Sequence, residues 1–304
     1  MKKSIILLCL LLPLSLFLAA CTNETQHKAK NQLSIYTTVF PLQYFSERIG
    51  GKFVNVKTVY PPGADEHTFE PSQQDMMNLA DSDLFFYIGL GLEGFVEKAK
   101  DTLKDQNVTI IPVANSLILP KTNTQEETGT DINPHVWLDP IYCKDMAAII
   151  RDALIKKMPK NKALFNANYN NLSKELDDLN AQYKTTISQA KTKKIIVTHA
   201  AFGYWENRYG LKQISISGLS TTNEPSQKQL ENIVSNAKQE GLHYILFEQN
   251  VNSKLGKVVQ DEIGAKALIV NNLAVLTPKN IKDNETYFTL MNKNLHTLKI
   301  ALNK

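Results

Sequence analysis

The chain has 304 residues, of which 43% are hydrophobic and 21% charged, and its formal net charge is +4. This length admits one large domain or two ordinary ones, and the composition excludes a disordered chain. The charge is small and the lysines form no long run, which excludes nucleic acid as the expected partner.

Met1-Lys2-Lys3 is a short basic start, and Ser4 to Leu18 is almost wholly apolar but broken by Pro13. A membrane span needs about 20 apolar residues, so the stretch reads as an export signal. It ends in Leu18-Ala19-Ala20-Cys21, which resembles the lipobox of bacterial lipoproteins. There the cysteine is joined to diacylglycerol, the chain is cleaved on its amino side, and the new terminus is acylated. The expectation is a signal peptide over 1–20, a lipid anchor on Cys21 and a polar tether over 21–32. The alternative is an ordinary secretory signal with an incidental cysteine. Removing Lys2 and Lys3 with the signal takes the formal charge to +2. Cys9 leaves with it too, so Cys143 stands without a partner, no internal disulfide is expected, and its thiol is read as structural.

From Leu33 onward, short apolar runs alternate with helical periods. Strands are predicted over Leu33–Thr37, Val54–Tyr60, Leu84–Ile88 and Thr109–Val113, with a helix near Gln43–Gly50 and an N-cap at Ser72 answered by Asp75. Asn133-Pro134-His135-Val136-Trp137-Leu138-Asp139-Pro140 is bounded by prolines and reads as a stiff loop. It presents either a metal-ligating or a surface histidine, with Asp139 as the expected acceptor orienting the ring. A helix follows near Ile141–Met158, stopped by Pro159. Leu172, Leu176, Leu179, Tyr183, Ile187 and Ala190 then recur at spacings of three and four, which predicts one helix over Asn161–Ala190. The second half repeats the alternation, with strands at Lys194–Thr198, Gln213–Ser217, Tyr244–Glu248 and Lys266–Val270. Helices near Ala200–Tyr209, Ser226–Glu240 and Ser253–Glu262 separate them. The expected class is α/β: two lobes, each a mostly parallel sheet flanked by helices, joined by the long helix. The lobes are expected over 33–140 and 192–304, with the linking helices over 141–191.

Of six histidines, His27 falls in the tether, His243 at a helix-to-strand join and His296 in a terminal amphipathic helix. His67, His135 and His199 each stand at the end of an element, where ligands bind in open α/β sheets. Taken singly, each also suits a hydrogen-bonded structural histidine.

Several segments in order carry a resemblance over essentially the whole chain after the tether: Val39-Phe40-Pro41-Leu42, Gly63–Pro71 with His67, Pro134–Pro140, Thr198–Tyr204, Phe247-Glu248-Gln249, and Tyr287–Leu295. Together they resemble the metal-binding proteins of ABC importers for zinc and manganese. Zinc-binding relatives have a histidine at positions matching His67, His135 and His199, whereas manganese-binding relatives usually have a carboxylate where His199 stands. The resemblance implies extracytoplasmic capture of divalent metal, Zn2+ before Mn2+, and delivery to an ABC permease. It implies no enzymatic role, a location at the outer face of the cell membrane, and a monomer. Glu66 matches an acidic neighbour of the site and is the candidate fourth donor, with water as the alternative. Glu248 is expected to hold a loop. Two departures stand out: the stretch Asn115–Pro134 lacks the histidine-rich loop of many zinc members, and Asn271-Asn272-Leu273-Ala274 lacks the carboxylate that some relatives have there. The rival functions are a surface adhesin and a zinc hydrolase, although no HExxH helix motif is present to support the second.

Overall fold

The computed structural model describes residues 32–121, 132–249 and 251–303. The export signal, Cys21, His27 and nearly all of the tether lie outside the described residues, as do Glu126, Glu127 and Asp131.

Four parallel strands build the first lobe: β1 (Leu33–Thr37), β2 (Val54–Thr58), β3 (Leu84–Tyr87) and β4 (Thr109–Pro112), in the order β2-β1-β3-β4. Four more build the second: β5 (Lys194–His199), β6 (Lys212–Ser217), β7 (Tyr244–Glu248) and β8 (Lys266–Val270), in the order β6-β5-β7-β8. All pairings are parallel. Parallel neighbours require crossovers, and the helices supply them. These are α1 (Phe40–Gly50), α2 (Gln73–Ala80) and α3 (Val96–Leu103) in the first lobe. In the second they are α6 (Gly203–Tyr209), α7 (Gln227–Gln239) and α8 (Lys254–Ile263). A sheet covered on both faces has inner strands without polar alternation. β3 follows this rule, since Leu84, Phe85, Phe86 and Tyr87 are all buried.

The expected start of α2 is present: Ser72 and Asp75 form a reciprocal capping box. Such a cap contributes about 1 kcal/mol. Several element ends differ from expectation by one or two residues, and two helix starts by three, for local reasons. α1 begins at Phe40, because Pro41 in its first turn favours helix entry there. α6 begins only at Gly203, because Ala200 N–H donates to Gly218 O at 3.0 Å and Ala201 N–H to His199 O at 2.9 Å, which holds the chain in a turn. α3 carried no clear signal, since its inward face is reduced to Val96, Ala99 and Leu103.

Between the lobes run α4 (Pro140–Lys157) and α5 (Lys162–Ser188). α5 has 27 residues, about 40 Å at 1.5 Å per residue. Its buried stripe is Phe165, Leu172, Leu176, Leu179, Tyr183 and Ile187. Polar contacts strap it to both lobes. Arg48 of α1 pairs with Glu175 at 2.5 Å, and Asn168 donates to Ile49 O at 2.9 Å. Toward the second lobe, Tyr183 Oη donates to Met291 O at 2.7 Å and Tyr209 Oη to Asn180 Oδ1 at 3.1 Å. The chain closes with α9 (Pro278–Lys282) and α10 (Tyr287–Ala301).

Candidate metal centre

The His135 loop is held mainly by hydrogen bonds from aromatic side chains. A one-turn 3-10 helix, Val136–Leu138, follows His135 and leads into α4. Tyr204 Oη donates to Asn133 O at 2.6 Å, Trp205 Nε1 to Leu138 O at 2.9 Å, and Tyr287 Oη to Trp137 O at 3.0 Å. Trp137 itself is fully buried and donates through Nε1 to Asn272 O at 2.5 Å. Gly203 lets α6 approach this loop, since a Cβ there would stand 2.9 Å from Asn133 Nδ2.

Asn133, not Asp139, orients the His135 ring. Asn133 Oδ1 accepts from the His135 backbone N–H at 2.9 Å and meets Nδ1 of the same ring at 2.7 Å. Asp139 turns the other way. It caps α4 by accepting from Ile141 N–H at 2.8 Å, and it pairs with Arg208 Nε at 2.6 Å. A carboxylate at the N-terminus of a helix is favoured by the peptide dipoles, and that preference wins here.

His199 is the last residue of β5, and Glu248 the last of β7. These strands are neighbours, with Val197 opposite Leu246, so their final residues come side by side. Glu248 Oε1 takes the hydrogen bond of His199 Nδ1. The expectation that Glu248 merely holds a loop is therefore corrected: it fixes the ring of His199, a carboxylate–imidazole arrangement of the kind that supports metal-binding histidines.

His67 comes from the turn after β2, where its backbone N–H donates to Asp65 Oδ1 at 2.9 Å. The other oxygen of Asp65 accepts from Thr221 Oγ1 of the second lobe at 2.8 Å. Glu66 is buried, with Oε1 at 3.9 Å from His67 Nε2 and 2.8 Å from Asn272 Nδ2. Its Oε2 is buried with no hydrogen-bond partner among the described residues. Thus the segment Asn271–Ala274 contributes an amide where a carboxylate was looked for, and sequence reasoning missed what that amide holds.

The three histidines converge. Nε2 of His135 lies 3.3 Å from Nε2 of His67 and 3.1 Å from Nε2 of His199. One nitrogen from each ring falls within 4.8 Å of the other two, a group able to hold a metal ion. Glu66 stands beside this group and outside that limit. His243 and His296 are exposed and take no part. A polar cleft of about 270 Å³, lined by Thr198, Ser217, Thr221 and Glu224, opens onto His199.

Burial dominates the electrostatics. It lowers the pKa of His67 to about 4 and that of His135 well below the ordinary imidazole value, so both rings stay neutral. For His199 burial acts in the same direction, but the charge and hydrogen bond of Glu248 outweigh it and the pKa is raised. Burial and the neighbouring Glu248 push Glu66 up to about 8. Neutral imidazoles are good donors to zinc, and a buried carboxyl with an unpartnered oxygen is stabilised in its ionised form by a nearby cation. The residues present thus fit a divalent ion of zinc type.

Comparison with known proteins agrees. The zinc-binding lipoprotein AdcA of Streptococcus pneumoniae is 35% identical over 308 residues, which cover 98% of this chain and 61% of the relative. The chain therefore spans about three fifths of the length of that curated relative. The crystal structure of the Zn(II)-bound ZnuA-like domain of S. pneumoniae AdcA superposes with a TM-score of 0.76 at 34% identity, covering 90% of this chain and 100% of that one. The laminin-binding protein Lmb of Streptococcus agalactiae, described as bifunctional with adhesin and metal transporting activity, superposes with a TM-score of 0.80 at 28% identity, covering 89% and 100%. Residues 35–301 match the ZnuA family, zinc-uptake complex component A, periplasmic, and the chain belongs to that family.

Proposed function

We propose that this protein captures Zn2+ outside the cytoplasmic membrane and delivers it to an ABC import permease. Nε2 of His67, His135 and His199 supply three donors, and Glu66 supplies the fourth. The observation that carries this reading is the meeting of three ring nitrogens from separate segments within 4.8 Å. Two of these rings already have their other nitrogen occupied, by Asn133 and by Glu248. Three imidazoles and one carboxylate favour zinc over manganese, which prefers oxygen-rich, higher-coordinate sites. The family is one of transporter solute-binding components, and no catalytic step is assigned. In this reading residues 1–20 are the export signal, Cys21 bears the lipid, and 21–32 form the tether. Residues 33–140 and 192–304 are the metal-binding lobes, joined through 141–191, and the protein acts as a monomer on the outer face of the membrane.

The test is growth and zinc uptake in cells lacking this gene under zinc limitation. The wild-type gene should restore both, and a His67→Ala, His135→Ala, His199→Ala gene should restore neither. Equal rescue by the two would exclude the reading. A second role is favoured by the description of Lmb as an adhesin. Binding to laminin that persists in the triple variant would separate adhesion from metal transport.

A further inference from the structure

Both polar atoms of the Asn272 side chain are engaged by neighbours at the centre. The residue is 2% exposed. Its Nδ2 donates to Glu66 Oε1 at 2.8 Å and to Glu248 Oε2 at 2.7 Å. Its Oδ1 accepts from the Ala274 backbone N–H at 3.0 Å, and its carbonyl accepts from Trp137 Nε1. The Ala274 bond fixes which way round the amide sits. Turned over, the amide oxygen would face two carboxylates and the NH2 group a backbone N–H. The backbone is held as well. Leu273 has φ +62°, a region costly for a residue with a β-carbon. Ala274 O is tied to Phe40 N–H at 2.8 Å.

One neutral NH2 group therefore holds two carboxylates. One of them stands beside His67, and the other fixes the ring of His199. Without a donor between them the two would repel, and each would lose the bond that sets its direction. An amide also adds no oxygen charge to the centre. An aspartate at this position would present a third carboxylate to the first two and offer the ion another hard donor.

We infer that Asn272 is the positioning residue that sets the metal preference of the centre, by holding Glu66 and Glu248 on one amide and keeping the donor set rich in nitrogen. The inference rests on the reading of the three histidines as zinc ligands, and its test separates the two.

The test compares wild type with Asn272→Asp, Asn272→Ala, Asn272→Ser and His199→Ala. Zn2+ and Mn2+ are titrated in competition, the visible spectrum of the Co2+-loaded protein is recorded, and metal-free melting shows which variants fold. The wild type should give the intense Co2+ bands of a four-coordinate site. Asn272→Asp should lower the Zn2+ preference over Mn2+ by about 10- to 100-fold, as losses of the partners that orient metal ligands do, and weaken the Co2+ bands as coordination number rises. Asn272→Ala should weaken Zn2+ by a similar factor without gaining Mn2+, with Asn272→Ser, which keeps one donor, in between. If the aspartate variant does not fold, the alanine and serine variants decide. An unchanged metal ratio and Co2+ spectrum in the folded variants, with zinc binding lost in His199→Ala, would overturn the role of Asn272 alone. Zinc binding retained in His199→Ala would overturn the histidine reading itself.

Discussion

The Nε2 atoms of His135 and His199 lie 3.1 Å apart, although one ring comes from the loop before α4 and the other from the end of β5. Each ring has its Nδ1 directed at an oxygen, Asn133 Oδ1 for His135 and Glu248 Oε1 for His199. When both rings are neutral, with their protons on those Nδ1 atoms, both Nε2 atoms turn lone pairs toward each other. Two lone pairs at that distance repel unless a proton or a cation lies between them, so the arrangement is suited to a shared cation.

The first prediction concerns pH. Three exposed imidazoles would release their protons together near about 6.5 and give affinity a steep, third-order dependence on acid. Burial removes two of them from that competition, because His67 is lowered to about 4 and His135 well below its usual value. His199 stays raised, since Glu248 outweighs the effect of burial, and burial raises Glu66 to about 8. If Glu66 ligates as proposed, protons compete with zinc at His199 and Glu66. Affinity should rise with pH up to about 8 and fall below it, with no more than two protons displaced per ion in the neutral range. Calorimetric titration in buffers of different ionisation enthalpy counts those protons. A count of three, or none, would contradict this assignment.

Glu248→Gln should weaken zinc binding by about 10- to 100-fold, the usual effect of losing the partner that orients a metal-bound histidine. The glutamine oxygen can still accept from Nδ1, so the ring stays in place while its charge support is lost. The same substitution should lower the pKa of His199, whose elevation comes from Glu248 against the effect of burial. Proton titration of that ring by NMR would check this, and an unmoved pKa would show that Glu248 does not act on His199.

How much of this centre was legible in the sequence follows from what each residue needs. His67, His135 and His199 stood out because each lies at an element end inside a recognisable segment. The paired sheets were legible from alternating strand and helix periods, and the long helix from its Leu172–Ile187 stripe. The partners of the histidines were not, because they depend on strand order. Glu248 meets His199 only because β7 lies beside β5, 49 residues away in sequence. Asp139 drew attention by its spacing from His135, yet the start of α4 claims it. A local signal for Asn133 was present: asparagine two residues before an N–H commonly accepts from it, and here the same oxygen also reaches the ring. Asn272 gave no such signal, since its partners Glu66 and Trp137 belong to distant segments. The common strand order of the two lobes, present without a close sequence repeat, was equally out of reach.

For the fourth donor, Glu66→Gln is informative. The buried, unpartnered Oε2 is the expected contact for a cation. If Glu66 ligates, the substitution should weaken Zn2+ by at least about tenfold, in line with the loss of a metal partner, while the fold persists. If water takes that place, the change should be small. Competition titration measures the ratio, and a zinc-loaded structure with Glu66 turned away from the ion would assign the position to water.

The anchor is tested separately from the metal. Cys21→Ser should abolish lipid labelling and release the protein from the membrane fraction, because the Leu18–Cys21 motif then offers no thiol. Metal binding by the released protein should be unchanged. A lipid-labelled Cys21→Ser protein would place the attachment elsewhere.

The most direct measurement is competition between Zn2+ and Mn2+ for the tag-free protein, wild type against His135→Ala. One Zn2+ per chain is expected, bound more tightly than Mn2+ in keeping with three imidazole donors. The alanine variant, which loses the ring central to the triad, should bind Zn2+ at least about 100-fold more weakly, beyond the range of an orienting partner. Tighter binding of Mn2+ by the wild type, or unchanged zinc binding by His135→Ala, would contradict zinc capture at this centre.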